Sequence, residues 1–108
     1  MITKRTVVNQ REITNNGVIQ IRLRKELVED GTVISFEYHR TCIEPGVDPD
    51  AQMRFVNEHL KSMGYPAVDE DGMDSIRRIV KVEHKPEVIR AWRDLQAAQT
   101  GLIRALAR

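Results

Sequence analysis

The chain has 108 residues, of which 41% are hydrophobic and 31% charged, as is typical of one globular domain with a modest core. Its single cysteine excludes an internal disulfide, and no apolar run is long enough to cross a bilayer. The net charge of +1 lacks the strong positive bias of nucleic-acid-binding domains. We therefore expect a soluble protein that acts in the cytosol and has no membrane partner, and the charge disfavours nucleic acid as a partner.

The charge is unevenly distributed along the chain. Residues 1–41 contain seven Lys or Arg against five Asp or Glu, residues 42–74 contain two against eight, and residues 75–108 contain eight against three. The acidic middle and the basic end can attract each other within one molecule or between copies. The alternative is that the basic end binds nucleic acid. Its candidate contacts are Arg77, Arg78, Lys81, Arg90 and Arg93.

The first part of the chain predicts β-strands. Residues 19–24 alternate strictly between apolar and polar side chains, and residues 32–41 also alternate. Asp30-Gly31 between them is a strong hairpin signal, because a type I′ turn needs positive φ at both central positions.

A two-residue loop at Asp30-Gly31 fixes a register for these two strands. Glu29 then faces Thr32, and the pairs that follow outward are Leu27–Ile34, Lys25–Phe36, Leu23–Tyr38, Arg24–Glu37, Arg22–His39 and Ile21–Arg40. This register puts Phe36 and Tyr38 on a mostly apolar face of the sheet, and Glu37 and His39 on a mostly charged one.

A second turn signal precedes this hairpin. Asn15-Asn16-Gly17 predicts a three-residue loop that pairs Ile13 with Ile19 and places Gly17 in the left-handed region. A strand over residues 6–14 then lies at the edge of the sheet, where its polar side chains suit exposure. Residues 4–41 thus predict a three-stranded antiparallel meander with one apolar face.

After Pro45-Gly46 the pattern becomes helical. Asp48-Pro49 marks a helix start, with aspartate as N-cap and proline in the first turn. Gly64 marks its left-handed end. The apolar residues that recur on its inner face are Met53, Val56, Leu60 and Met63.

Two further helices are predicted. One begins near Asp71 and ends before Lys85-Pro86, and the other begins at Pro86. The inner face of the first of these helices carries Met73, Ile76, Ile79 and Val80. The sequence therefore predicts an α+β fold, in which a three-stranded antiparallel β-meander is followed by three α-helices packed on one face.

The last helix carries an apolar seam with heptad-like spacing. Its members are Val88, Trp92, Leu95, Gln99, Leu102 and Leu106. Gly101 interrupts it, so the helix either bends or stops there. We expect a single domain over residues 1–100, with its helical part at 48–100, followed by an amphipathic C-terminal tail at 101–108. The tail packs on the sheet or docks to another subunit, and the sequence favours neither.

No motif in the chain predicts an active site. Cys42 and His39 lie three apart in a strand, so their side chains point to opposite faces. We interpret Cys42 as a small buried apolar residue. The histidines lack the spacing of zinc ligands. The cluster Asp69, Glu70, Asp71 and Asp74 lacks the spacing of a calcium loop and is interpreted as helix-start charge. We expect no enzymatic activity, no cofactor and no metal.

Four segments together carry a family resemblance. They are EYHRT at residues 37–41, Pro45-Gly46 with Asp48, the pattern VN-HL--MG at residues 56–64, and H-PEVI-A at residues 84–91. As a set, over roughly residues 3–95, the chain resembles small proteins encoded among the tail and structural genes of tailed bacteriophages. Threonine often stands in that family at the position of Lys85, and the position of Cys42 varies. Both departures argue against a function that depends on the cysteine.

The resemblance implies a non-enzymatic structural or adaptor protein of a phage virion, in the neck, tail or baseplate. Its partners would be other phage structural proteins and copies of itself, and its location the virion, after assembly in the host cytoplasm. A phage assembly chaperone or regulator absent from the particle is the first alternative, and a small nucleic-acid-binding module is the second. The candidate interface residues are Val7, Val8, Arg22, Arg24, Trp92, Leu95, Gln99, Leu102, Ile103 and Leu106.

Overall fold

The computed structural model describes residues 1–107 and contains one antiparallel sheet followed by three helices. The strands are β1 (Ile2–Ile13), β2 (Ile19–Glu29) and β3 (Thr32–Ile43), in the order β1-β2-β3. The helices are α1 (Pro49–Ser62), α2 (Glu70–Glu83) and α3 (Pro86–Leu106). The predicted α+β fold class is thus confirmed, and the strands extend a little beyond the predicted limits of 4–41.

The turn between β2 and β3 has the predicted chemistry. Asp30 and Gly31 have φ angles of 50° and 83°, and Glu29 pairs with Thr32. Positive φ at both central positions matches the right-handed twist of the flanking strands, which is why this dipeptide forms a tight hairpin.

Beyond the two pairs next to the turn, Glu29–Thr32 and Val28–Val33, the predicted register is wrong. Leu27 pairs with Ser35 and not with Ile34, because a bulge inserts one extra residue into β3 next to the turn. The pairs that follow are Glu26–Phe36, Lys25–Glu37, Arg24–Tyr38, Leu23–His39, Arg22–Arg40, Ile21–Thr41, Gln20–Cys42 and Ile19–Ile43. A shift of one residue moves each side chain of β3 to the other face. Phe36 and Tyr38 therefore lie on the face of Arg22 and Arg24, away from the core.

The other predicted strand register is confirmed. Ile13 pairs with Ile19, and Gly17 has a φ of 84° in the turn between β1 and β2. A second irregularity lies in β1 between Val8 and Gln10. It leaves Val8 packed against the core, beside buried Thr6, while Val7 is half-buried on the other face.

The helix starts follow local capping chemistry. The Asp48 carboxylate accepts a hydrogen bond from the Asp50 N–H, and Pro49 is in the first turn of α1, as predicted. The second helix begins at Glu70, next to the predicted start near Asp71. The Asp69 carboxylate accepts the N–H of Gly72 at 2.8 Å and so caps α2 at Glu70.

The core fills the space between one face of the sheet and the first two helices. The aliphatic side chains of β2 on that face are Ile19, Ile21 and Leu23, and all three are fully buried. The other members of the cluster are Ile43, Met53, Val56, Leu60, Val68, Met73 and Ile76. The predicted inner faces of α1 and α2 are confirmed, apart from Met63, which is exposed, and Ile79 and Val80, which lie at the margin.

The third helix departs from the body of the protein. Its first turns contact the loops at one end of the sheet, where Val88 touches Gly17 and Ile89 touches Gly46. No residue of α3 is buried, and every described residue from Gln96 onward is exposed. The molecule measures 59 × 32 × 20 Å, with a radius of gyration of 17.1 Å. A compact domain of this length has about 13 Å, so α3 makes the protein elongated.

Candidate functional site

Two surfaces of the protein are candidates for function, and the first is the face of the sheet opposite the helices. The Phe36 and Tyr38 rings lie side by side there, with centroids 5.4 Å apart. The Arg24 guanidinium lies over the Phe36 ring at 4.4 Å, and the Arg22 guanidinium lies over the Tyr38 ring at 4.2 Å. We call this surface, with Arg40 beside it, the arginine–aromatic face.

A buried carboxylate organises one end of this face. Glu26 accepts hydrogen bonds from the Nε atoms of Arg5 and Arg24, and it is almost fully buried. Burial acts to raise the pKa of Glu26, but the hydrogen bonds from Arg5 and Arg24 outweigh it, and the pKa lies below its ordinary value. Glu26 is therefore charged at neutral pH and neutralises part of the positive charge of the two arginines.

The other end of the face carries arginines without a buried carboxylate. Arg22 and Arg40 are directly opposite each other on β2 and β3. The Nε of Arg22 donates to the Asn9 side chain at 2.8 Å, whereas Arg40 forms no ion pair with any residue of the described chain. Because Arg40 has no ion pair with any described residue, this end of the face carries an excess of positive charge. Like charges directly opposite each other in a sheet are destabilising.

A concavity of about 390 Å³ opens at this end. The residues that line it include Gln10, Gln20, Arg22, Arg40 and Cys42. Cys42 is exposed, which corrects the prediction that it is buried. The reason is again the bulge in β3, which fixes which alternate residues face the helices. Glu12 also contributes to the wall.

The second candidate surface is the outer half of α3, which we call the helical arm and define as residues 96–107. Leu102, Ile103 and Leu106 are 61%, 66% and 76% exposed. The helix runs through Gly101 without a break as far as Leu106. Of the two predictions for this segment, packing on the sheet is therefore wrong for the described residues.

Six of the ten predicted interface residues lie on these two surfaces. Arg22 and Arg24 lie on the arginine–aromatic face, while Gln99, Leu102, Ile103 and Leu106 lie on the arm. Trp92 and Leu95 are half-buried along a groove between α3 and the turn at residues 14–17. The α3 seam thus changes its role along its length, from intramolecular packing at Trp92 to exposure at Leu106.

The predicted edge at β1 is partly covered. Val68 forms a parallel bridge to Thr6, and the Asp69 N–H donates to the Thr6 carbonyl at 3.2 Å. The Thr6 hydroxyl also donates to the Pro66 carbonyl at 2.8 Å. A partner strand could not pair with β1 at this point without displacing the loop before α2.

His39 and Cys42 point to opposite faces of the sheet, as predicted. The His39 ring lies 5.4 Å from the His59 ring of α1, on the helix side. Burial, and then the neighbouring His59 and Lys25, hold the pKa of His39 below its ordinary value. His39 is therefore mainly uncharged at neutral pH. Among residues 1–107, no three His, Cys, Asp or Glu side chains form a cluster that could hold a metal ion.

Two members of the acidic cluster, Glu70 and Asp74, share one arginine with Asp50 of α1. Arg77 donates to Asp50 at 2.9 Å, to Asp74 at 2.9 Å and to Glu70 at 3.1 Å. The hydrogen bonds to Asp50 and Glu70 raise the pKa of the Arg77 guanidinium. Arg77 is thus surrounded by carboxylates, which weakens its candidacy as a contact for nucleic acid.

Sequence reasoning missed Phe36, Tyr38 and Arg40 as residues of the candidate site. The assumed regular register placed the two rings toward the core. Charge pairing did not reveal the shift, because Glu37 faces Arg24 in the regular register and Lys25 in the observed one. The Lys25 Nζ lies 3.4 Å from a Glu37 carboxylate oxygen.

None of the protein-family models, curated proteins or solved structures compared with this chain matches it significantly. The resemblance to phage structural proteins therefore stays a prediction. Within residues 1–107, no helix combines the length and apolar character that a membrane span requires.

Proposed function

We propose that the protein is a non-enzymatic structural or adaptor protein that works through protein–protein contacts and that binds a partner through its helical arm. The observation that carries the proposal is the exposure of Leu102, Ile103 and Leu106 on a helix that leaves the body of the fold. A surface helix normally buries its apolar stripe against its own protein. An apolar stripe held in solvent is characteristic of a segment that meets another protein.

The setting that we propose is a tailed-bacteriophage particle, in its neck, tail or baseplate. This part rests on the resemblance of the four sequence segments. An elongated molecule with one projecting helix suits a component that links neighbouring subunits. The acidic middle of the chain and its basic end supply complementary charge for contacts with other phage proteins and with further copies.

The arm is tested by charge substitution within its seam. We expect Leu102→Glu and Leu106→Glu to abolish binding to the partner, because each places a carboxylate in the apolar contact. Ala97→Glu is the matched control, since Ala97 is exposed on α3 but lies on the opposite side of the helix from the seam. Light scattering measures self-association, and co-purification with the neighbouring structural proteins measures binding to other partners.

Two results would contradict the proposal. If the seam variants and the Ala97→Glu control all assemble like the natural protein, the arm is not the contact. If mass spectrometry of washed particles finds no copy of this chain, the virion location is wrong. In that case, retained binding by the arm would favour the assembly chaperone or regulator.

A further inference from the structure

The open side of the sheet has features that the fold itself does not require. Phe36 and Tyr38 are 46% and 45% exposed, and neither ring belongs to the hydrophobic core. Neighbouring exposed apolar side chains that form one patch are characteristic of a contact surface. The protein–protein function of the arm makes no use of them.

The charge on this side is also directional. Arg5 and Arg24 are bound to Glu26, so their charge is partly neutralised within the protein. Arg22 and Arg40 are opposed across the strands, with no carboxylate bound to Arg40 in the part of the chain that the structure describes. An anion placed between these two guanidiniums would relieve their repulsion.

The rings and the arginines are within reach of one ligand. Arg22 lies over Tyr38 at 4.2 Å and also lines the concavity that contains Arg40 and the amides of Gln10 and Gln20. Flat rings stack on aromatic side chains and on guanidinium planes, and amide side chains can donate to and accept from the edge of a base. Stacking groups, phosphate-binding groups and edge-reading groups therefore occur together.

We propose that the arginine–aromatic face binds single-stranded nucleic acid. Bases stack along Phe36 and Tyr38, phosphates contact Arg22 and Arg40, and one base reaches the Gln10–Gln20 wall. This departs from the sequence-based expectation of no nucleic-acid partner, which rested on a net charge of +1 for the whole chain. The net charge of the whole chain does not reveal a local cluster of positive charge such as Arg22 and Arg40. The negative charges that balance this cluster lie on the helices and at the other end of the face.

A single strand fits this surface better than the other polyanions. A duplex keeps its bases stacked inside, so the rings would have no partner, and the flat face offers no helix to enter a groove. An acidic protein segment would use the arginines but would leave Phe36 and Tyr38 without a role. Glu12, at the wall of the concavity, can accept a hydrogen bond from a base N–H.

The test is fluorescence anisotropy with short labelled oligothymidylate and oligouridylate, which separate DNA from RNA, and with a duplex as a further arm. We expect single strands to bind, and Tyr38→Ala to weaken binding about 5- to 150-fold, because base–aromatic stacking contributes that much per base. Arg40→Ala should reduce the slope of log affinity against log salt by about 0.7, the contribution of one phosphate contact on a single strand.

Matched controls lie on α1. Phe55 is 72% exposed and Arg54 is exposed, and neither is part of the arginine–aromatic face, so Phe55→Ala and Arg54→Ala should bind like the natural chain. Circular dichroism of every variant verifies folding. Equal losses in Tyr38→Ala and Phe55→Ala, equal binding of duplex and single strand, or binding of polyglutamate in place of either oligonucleotide would each overturn the proposal. The arm variants Leu102→Glu and Leu106→Glu should leave oligonucleotide binding unchanged, so this proposal and the proposed function can fail separately.

Discussion

The side chains on the two faces of β2 make different kinds of interaction, although the two sets of residues alternate along one strand. On the helix side, Ile21 and Leu23 are fully buried among aliphatic side chains. On the open side, Arg22 and Arg24 lie over aromatic rings, and Arg24 also binds Glu26. Water cannot replace the contacts between closely packed apolar groups. Charged side chains on an open face, in contrast, can replace their contacts with the protein by contacts with water at little cost in free energy. The helix side therefore carries stability, and the open side is free to carry recognition.

The sharpest test of this comparison is truncation on the helix side. We expect Leu23→Ala to lower the free energy of unfolding by about 2–5 kcal/mol, because it removes buried methyl groups and leaves a cavity. Urea unfolding followed by circular dichroism measures the change. Tyr38→Ala is the partner variant on the open side and should cost less than about 1 kcal/mol, since its ring is already half in water. Equal losses for the two variants would remove the distinction between the faces.

Glu26 differs from the arginines on the open side of the sheet because its side chain is buried. We expect Glu26→Gln to cost about 1–3 kcal/mol at neutral pH, because glutamine keeps only one acceptor oxygen, so one guanidinium loses its hydrogen bond and the other loses a charged acceptor. The folded-state pKa of Glu26 lies below its ordinary value of 4.5. Its contribution is therefore complete above about pH 5 and is lost as the pH falls through the folded-state pKa.

Thermal melts between pH 6 and pH 3 check this linkage. The natural chain should lose more stability than Glu26→Gln as the pH falls, so that the two curves converge at the acid end. Curves that stay parallel through this range would show that Glu26 is not stabilised in its charged form by Arg5 and Arg24.

A pair of glycines provides a smaller contrast between the body and the arm. A Cβ on Gly72 would lie 2.8 Å from Val68 Cγ1 and 2.9 Å from Val8 Cγ2, whereas a Cβ on Gly101 would meet no atom within 4 Å. We expect Gly72→Ala to destabilise the fold by about 1–2 kcal/mol, because α2 must move away from β1. Gly101→Ala should instead raise the helix content, since alanine favours a helix interior by about 1 kcal/mol.

Urea unfolding and far-ultraviolet circular dichroism compare the two variants. If Gly72→Ala were as stable as the natural chain, the close approach of α2 to β1 would not be needed. If Gly101→Ala changed unfolding as strongly as Gly72→Ala, the arm would be part of the cooperative core.

Local chemistry explains which features the sequence predicted correctly. The hairpin at Asp30-Gly31, the N-cap at Asp48 and the left-handed residue Gly64 each depend on a few neighbouring residues. The inner faces of α1 and α2 follow from a repeat of 3.6 residues, which any packed helix must satisfy. These features needed no knowledge of the remainder of the chain.

The candidate site could not be predicted in the same way. A bulge of one residue near Ile34 reverses the orientation of each later residue of β3, and nothing in the turn itself specifies it. The shifted register is accompanied by contacts between residues far apart in sequence, such as Lys25 with Glu37 and Gln52 of α1 with Thr41. Phe36 and Tyr38 are exposed in this register.

Residues close together in the chain encode the order of strands and helices, their turns and caps, and the apolar seam of α3, so these features could be predicted from the sequence. Three others emerge only from packing: the face of β3 that meets the helices, the close packing at Gly72, and the division of the seam into a packed half and an exposed arm. These outcomes depend on contacts between residues far apart in sequence, where one added residue in a strand or the lack of a covering surface changes what each side chain touches.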